Sequence, residues 1–170
     1  MIIIEQRAPR TAQACERLVL PFDLRCKSRL RTRLESGEEA GLFLERGTVL
    51  RGGDHLLGND GRVVEVVAVS EAVMEARGGG PLLLARAAYH LGNRHVPVEV
   101  RTDLLRFGCD SVLGEMLQGL GLEVLVTQAP FEPESGAYGG QASHAHPHVH
   151  SADGEGRGPR IHDMLLRGGR

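Results

Sequence analysis

Short apolar runs separated by turns fill the first seventy residues, and this pattern predicts strands rather than helices. Met1 to Arg7 is a β-branched run, Leu18 to Leu20 is a second apolar run before Pro21, and Val63 to Val69 is the last. Between them, apolar runs alternate with glycine turns, and Gly52-Gly53 lacks the pattern of a phosphate-binding loop. The sequence therefore predicts a small β-barrel or sandwich at residues 1–70.

The pattern changes period after Ser70, where helical and strand patterns alternate. Pro81 suits the first position of a helix that Gly92-Asn93 would end, and its apolar face has the spacing i, i+3, i+4, i+7 at Leu84, Ala87, Ala88 and Leu91. A second helix is predicted after a cap at Asp110 or Ser111, with an apolar face at Leu113, Met116, Leu117 and Leu120 and an end at Gly121.

Four predicted strands surround these two helices. They are Glu71 to Ala76, Val96 to Arg101, Leu104 to Phe107 and Leu122 to Val126. The resulting order β-α-β-β-α-β is that of a ferredoxin-like domain, predicted at residues 71–139. Hydrophobic periodicity disappears from Gly140 onward, so residues 140–170 are predicted to be a disordered tail that contains histidines. The expected fold class is α+β.

Histidines occur at two places that bear on chemistry. His95 follows the first predicted helix and precedes a strand, so it lies at a corner where its side chain can contact solvent, a partner subunit or a metal ion. His90 lies on the helix, where we expect it to be packed. The tail carries four alternating histidines, and metal binding by Ni²⁺, Cu²⁺ or Zn²⁺ is favoured there over an inert linker; they are His144, His146, His148 and His150.

Basic residues recur at every second position of one predicted strand. In an extended chain all five lie on one face: Arg25, Lys27, Arg29, Arg31 and Arg33. Two interpretations remain open, namely the solvated outer face of a strand and a docking surface for an acidic partner protein. Nucleic acid is disfavoured as a ligand because no aromatic residues interleave with the stripe.

Composition narrows the class of protein only slightly. The net charge of −2 and the pI near 6.4 give no overall attraction to nucleic acid or anionic lipid. No signal peptide or membrane-spanning run is evident, so we expect a soluble cytoplasmic protein. Cys15, Cys26 and Cys109 are odd in number and widely spaced, which favours free thiols over disulfides or a zinc site.

Five stretches of the chain match a known family in their order and residues. They are Arg25 to Arg31, Gly41 to Leu44, Arg46 to Asp54, Tyr89 to Pro97 (Tyr-His-Leu-Gly-Asn-Arg-His-Val-Pro) and Pro130 to Gly139 (Pro-Phe-Glu-Pro-Glu-Ser-Gly-Ala-Tyr-Gly). Together they resemble the UreE family of urease accessory proteins, which are nickel metallochaperones. The resemblance covers most of residues 15–139 and is followed by a histidine-bearing tail.

This resemblance implies an N-terminal β domain that binds a protein partner and a ferredoxin-like domain that binds metal and forms a homodimer. His95 matches the family's nickel-binding histidine at the dimer interface. The implied function is delivery of Ni²⁺ to the urease apoprotein complex together with its accessory GTPase, with Zn²⁺ or Cu²⁺ able to substitute, and without catalysis. The chain departs from the family at Cys109 and Ser111, where relatives often carry a histidine pair, and at Glu45, where relatives usually have proline.

Three other functions compete with this one. A cytoplasmic metal buffer would use the tail histidines without delivering the ion. An enzyme with a Cys109 thiol and a histidine base lacks a third group to orient the pair. An RNA-binding ferredoxin-like domain would need paired aromatic residues on its strands, which this chain does not have.

Overall fold

The computed structural model describes residues 1–135, which form a mixed α+β structure with two sheets. The strands are β1 Ile2–Ala8, β2 Glu16–Leu20, β3 Arg29–Arg33, β4 Glu39–Phe43, β5 His55–Gly58, β6 Val63–Ala68, β7 Ser70–Arg77, β8 Val98–Val100, β9 Leu104–Gly108 and β10 Glu123–Pro130. The helices are α1 Phe22–Arg25, α2 Gly80–Gly92 and α3 Ser111–Gly119.

The first sheet contains the six strands of the N-terminal half and curves into a nearly closed barrel. Its order is β2-β6-β5-β1-β4-β3, and a bond from the Glu35 N–H to the Arg17 carbonyl, 2.9 Å long, joins the chain after β3 to β2. Every second residue of its strands points inward, which explains the alternation in the sequence. The barrel core includes Ile2, Ile4, Leu18, Leu42, Leu56, Val64 and Val66.

The second sheet has the order β10-β7-β9-β8, with antiparallel pairing throughout. Numbered within this half of the chain, the order is 4-1-3-2, as expected for a β-α-β-β-α-β unit of the ferredoxin-like type. Helices α2 and α3 supply the buried residues Ala87, Leu91, Leu113 and Leu117, which share a core with Leu105 and Phe107 of β9. The predicted α+β class is therefore confirmed. The division into domains at residue 70 stays a prediction.

Local signals at the helix ends were predicted correctly. Asp110 caps α3, since its carboxylate accepts a 3.0 Å hydrogen bond from the Leu113 N–H. Pro81 lies in the first turn of α2. Gly121 follows α3 with a φ of 98°, a conformation that glycine adopts without strain.

Two strand predictions were wrong in extent. The predicted strand at 25–34 is reduced to β3, because Pro21 begins the short helix α1 and a turn follows it. The predicted strand at 96–101 is reduced to β8. The charged residue on this strand does not face solvent as the alternation predicts, because Glu99 is buried while Val100 is 51% exposed. Glu99 can be buried because Arg106 and Arg101 pair with its carboxylate.

The predicted tail at 140–170 lies outside the described residues. Within residues 1–135, no helix is both long enough and apolar enough to cross a membrane.

Candidate functional site

His95 lies at the end of α2 and completes the capping motif of that helix. The His95 N–H donates to the Gly92 carbonyl at 2.9 Å, and the Val96 N–H donates to the Leu91 carbonyl at 3.2 Å. These are the two hydrogen bonds of a Schellman motif in which His95 occupies the C′ position. Val96 then packs against the core that contains Leu91, as the residue after this position commonly does.

The backbone of His95 is left-handed, with a φ of 56°. The C′ position of a Schellman motif is usually glycine, because a Cβ in this conformation contacts the following carbonyl and costs roughly 1 kcal/mol. Among residues 1–135, His95 is the one residue other than glycine with a positive φ. The His95 side chain is exposed, so packing of the imidazole does not offset the cost of this backbone conformation.

The outer face of α2 leads toward His95 and is apolar. Leu82 and Tyr89 are 76% and 66% exposed, and Ala85 lies between them on the same face. His90 is half-buried, with its ring edge-to-face against Tyr89 at a centroid distance of 5.4 Å. An apolar stripe with this exposure is a typical surface for another subunit.

A cavity of about 520 Å³ lies beside His95. Asp23, Cys109 and Asp110 line it together with His95, although Asp110 is already engaged as the cap of α3. In the described part of the chain, no three His, Cys, Asp or Glu side chains are placed to hold one metal ion. At this corner the chain supplies His95 as a single exposed imidazole donor.

The last described residues run beside β8, the strand that follows His95. The Glu134 N–H donates to the Val98 carbonyl at 2.8 Å, and Arg51 donates to the Pro133 carbonyl and to Ser135 Oγ. The segment that leads into the tail is therefore attached three residues beyond His95. The tail candidates themselves lie outside the described residues: His144, His146, His148 and His150.

Arg25 is not part of an exposed stripe, which corrects the sequence interpretation. It lies at the end of α1 and is fully buried. Its guanidinium donates to the carbonyls of Leu20, Leu50 and Phe131 and pairs with Glu132 at 2.9 Å. Arg25 thus holds the segment after β10 against the barrel, and a buried side chain with these contacts cannot bind a partner.

The other four basic candidates are exposed, but they do not form one regular row. Lys27 lies in the turn after α1, whereas Arg29, Arg31 and Arg33 alternate on the outer face of β3, as predicted for a strand. Arg31 and Arg33 both pair with Glu39 on β4, at 3.1 and 3.3 Å, and the Arg31 hydrogen bond is the main cause that lowers the pKa of Glu39. Arg46 adds a basic side chain that the stripe did not include, since it lies in the loop after β4.

A second set of buried charges lies on the face of the second sheet opposite the helices. Arg106 pairs with Glu75 at 2.6 Å and with Glu99 at 3.1 Å, and both carboxylates are almost fully buried. Hydrogen bonds from Arg106 and Arg77 lower the pKa of Glu75. Every charge in this network has an oppositely charged partner, so the network is explained by the fold.

The chain is similar over nearly its whole length to one family. The UreE urease accessory protein N-terminal domain matches residues 3–69, and the UreE urease accessory protein C-terminal domain matches residues 71–157. A urease accessory protein UreE of Cupriavidus necator is 57% identical over 139 residues, which cover 82% of this chain and 72% of that protein. That of Alkalilimnicola ehrlichii is 53% identical, over 82% and 86% of the two chains. That of Dechloromonas aromatica is 49% identical over 98% of this chain and 100% of the relative.

These relatives are accessory proteins by name, which is consistent with a role in urease maturation and with the expectation that the chain is not an enzyme. Both family domains match in the expected order and together span residues 3–157. The chain belongs to the UreE family of urease accessory proteins.

Proposed function

We propose that the chain is a nickel metallochaperone that binds Ni²⁺ through His95 at the interface of a cytoplasmic homodimer. It delivers the ion to the urease apoprotein complex, together with the accessory GTPase of that complex. The observation that carries the proposal is the strained and exposed His95, because an imidazole held at a glycine position against the local backbone preference points to a role outside folding. Membership of the UreE family supports urease as the recipient.

The homodimer follows from the number of donors. One exposed imidazole is a weak site, whereas a two-fold axis beside His95 would bring two imidazoles to one ion. The apolar stripe of Leu82, Ala85 and Tyr89 on the same helix supports an interface at this place. Imidazole suits Ni²⁺, and also Zn²⁺ and Cu²⁺, so these ions can substitute.

The tail histidines complete the proposed site transiently: His144, His146, His148 and His150. The segment that leads into the tail is attached to β8 through Glu134, and about ten residues separate Glu134 from the first of them. A tether of this length keeps an imidazole within reach of His95 at roughly millimolar effective concentration. Ligands that exchange in this way let the ion be held and then passed on.

A nickel titration by calorimetry tests the site. The proteins are the full chain and residues 1–140, each with His95 and with His95→Ala. We expect truncation to lower the number of ions bound and weaken the site, and His95→Ala to abolish the tightest binding in both lengths. His90→Ala is the matched control, since it removes an imidazole from the same helix and should leave the tight site intact.

The pH dependence separates the contributions further. Protons compete with Ni²⁺ for imidazole, whose usual pKa is about 6.5, so the contribution of the tail should fade as the pH falls through that value. Loss of all binding on truncation would make the tail the sole site and would contradict the role of His95. Unchanged stoichiometry and affinity on truncation would instead show that the tail histidines do not take part.

Two further measurements test the dimer and the delivery step. Light scattering at micromolar concentration with Ni²⁺ should give the mass of a dimer, and a strictly monomeric mass would contradict the shared site. Urease activation in cells that lack the chromosomal copy should fail with His95→Ala. If activation is unaffected by deletion of the whole protein, the alternative function of a cytoplasmic metal buffer is favoured.

A further inference from the structure

β10 forms one edge of the second sheet, and within residues 1–135 its outer side pairs with no other strand. It is eight residues long and pairs with β7 along its whole length without a bulge. The six residues between Glu123 and Pro130 carry no charge. Free N–H and C=O groups on such an edge can pair with another strand, so native proteins usually shield it with charges, a bulge or a covering segment. β10 therefore has the features of a strand that another segment covers.

Two neighbouring apolar side chains on β10 are exposed on opposite faces of the sheet. Leu125 is 49% exposed and lies on the same face as Glu75, its partner on β7. Val126 is 65% exposed and lies on the helix side, as does Val124, which packs against the core beneath α2 and α3. A helix laid on either face can cover only one of these two side chains. A strand added in the plane of the sheet contacts both, so this exposure indicates a strand as the occupant.

One part of the tail has the composition of such a strand. Four of the five Val, Ile, Leu and Met residues after position 140 lie within 161–166, between Arg160 and Arg167. Residues 160–167, which we call the C-terminal segment, lie outside the described residues and beyond residue 157, where the match to the family's C-terminal domain ends. Its apolar residues occupy both odd and even positions, so in an extended chain they face both sides of a sheet.

We propose that the C-terminal segment adds to the free edge of β10 as an antiparallel strand of the same molecule. The register places Arg167 opposite Glu123, so the two charges pair at one end. Apolar residues then lie opposite apolar residues, and the pairs are Val124–Leu166, Leu125–Leu165 and Val126–Met164. A parallel strand with Arg160 opposite Glu123 would place Asp163 beside Val126, so the antiparallel direction is favoured.

The connection is long enough for this strand to form within one chain. Residues 136–159 connect Ser135 to Arg160, and a coil of about 24 residues has an r.m.s. end-to-end distance of about 25 to 30 Å. Ser135 follows the segment beside β8, and β8 and β10 are three strand spacings apart, or about 14 Å. Antiparallel pairing also returns the chain to the end of β10 that it left. The tether thus holds the C-terminal segment near β10 at roughly millimolar effective concentration.

The consequence for nickel rests on the proposed function. Docking attaches the tail at both ends, near Ser135 and at Arg160, and the four tail histidines lie between these two points. A loop closed at both ends keeps their imidazoles nearer to the domain than a free tail does. Docking itself requires neither nickel nor His95, so it is tested on metal-free protein, and its failure would leave the nickel titration unaffected.

Disulfide crosslinking of the full chain tests the register. The background protein has its cysteines replaced by serine: Cys15→Ser, Cys26→Ser and Cys109→Ser. One variant then carries Leu125→Cys with Leu165→Cys, and another carries Val126→Cys with Met164→Cys. Opposite residues on antiparallel strands have Cβ atoms about 4.5 to 5.5 Å apart, near the separation that a disulfide needs. We expect both variants to form an intramolecular disulfide in mild oxidant.

Two controls separate strand pairing from random collision. A scan of cysteine through positions 161–166 against Val126→Cys should alternate between strong and weak crosslinking, with its maximum at position 164. Leu57→Cys with Met164→Cys places one partner at an exposed apolar site on β5 of the barrel and should crosslink poorly.

Hydrogen exchange of the β10 amides gives a second readout without introduced cysteines. Every second N–H of β10 points to the free edge. In the full chain these amides should exchange about tenfold more slowly than in the Leu165→Asp variant, which places a carboxylate beside Leu125. Val149→Asp is the matched control, since it makes the same change among the tail histidines and should leave the exchange unaltered. Far-UV circular dichroism verifies that each variant is folded.

Three results would overturn the proposal. The first is crosslinking with Leu57→Cys that equals crosslinking with Val126→Cys, or exchange that Leu165→Asp does not change. The second is crosslinking at position 126 that occurs only between two chains, which would show that β10 binds a second copy. The third is a scan in which positions 161, 164 and 165 react and their neighbours do not, because that spacing would show a helix instead of a strand.

Discussion

Arg25 and His95 are both basic residues, but their side chains have opposite surroundings. Arg25 is fully buried, and its guanidinium donates to three backbone carbonyls and pairs with the carboxylate of Glu132. His95 is exposed and holds its backbone in a conformation that favours glycine. Folding explains the identity of Arg25 completely. The backbone conformation at position 95 favours glycine over histidine, so folding does not explain this residue. A residue that folding does not explain is the better evidence for function.

The largest effect is expected from Arg25→Ala. Removal of the guanidinium takes away the side-chain donor of the Leu50 and Phe131 carbonyls, and it also takes the buried positive charge away from Glu132. Loss of one partner from a buried ion pair costs about 3 to 5 kcal/mol of unfolding free energy. Urea unfolding followed by far-UV circular dichroism measures this change.

Two controls make the comparison within the same predicted stripe. Arg29→Ala removes an exposed cation and should change the unfolding free energy by less than about 0.5 kcal/mol. Arg25→Met keeps the bulk and removes the donors, so it separates packing from hydrogen bonding. Equal losses for Arg25→Ala and Arg29→Ala would contradict the buried role and restore the stripe of five.

A smaller loss is expected from Glu75→Gln in the second buried network. The substitution removes the charge that Arg106 and Arg77 contact, and a hydrogen bond to a charged group contributes about 1.5 to 3 kcal/mol. The pKa of Glu75 is lowered in the folded state. Its stabilising contribution is therefore complete above the usual glutamate pKa and is lost as the pH falls below that value toward the folded pKa.

The pH dependence of unfolding tests this sign. The free energy of unfolding of the unmodified protein should fall more steeply than that of Glu75→Gln as the pH is lowered from about 5. Glu115→Gln is a suitable control because Glu115 is exposed on α3, and the helices lie on the other face of the sheet from this network. Parallel pH curves for the unmodified protein and Glu75→Gln would show that this carboxylate does not carry the effect.

The sequence predicted the two halves of the fold because their signals are local. Strand alternation, the Asp110 cap and the glycine after α3 each act within a few residues. The buried ion pairs could not be predicted, since Arg25 meets Glu132 and Glu75 meets Arg106 across 107 and 31 residues of chain. Every second residue from Arg25 to Arg33 is basic, yet only tertiary contacts decide which of them are buried.

The position of His95 was predicted, but the conformation that makes it informative was not. Gly92-Asn93 suggested the end of α2, whereas the left-handed residue of the capping motif is His95, three residues after Gly92. Histidine is more frequent than most residues in this conformation but far less so than glycine, so periodicity and propensity could not identify it.

The smallest effect expected is a gain in stability, from His95→Gly. Glycine adopts a φ near 56° without the contact between Cβ and carbonyl, so the unfolding free energy should rise by about 1 kcal/mol, less the greater chain entropy of unfolded glycine. His95→Ala keeps a Cβ in the left-handed conformation and should give no such gain. Both variants lose the imidazole, and both should lose the tight nickel site.

Thermal unfolding and nickel calorimetry on the unmodified protein, His95→Gly and His95→Ala test whether the histidine serves the metal ion or the fold. A more stable His95→Gly protein without tight nickel binding would show that the histidine is kept for the ion at the expense of the fold. A His95→Gly protein that is less stable than the unmodified one would mean that the imidazole makes a stabilising contact. In that case the strain at this corner would no longer argue for function, and the case for His95 would rest on the family and the calorimetry alone.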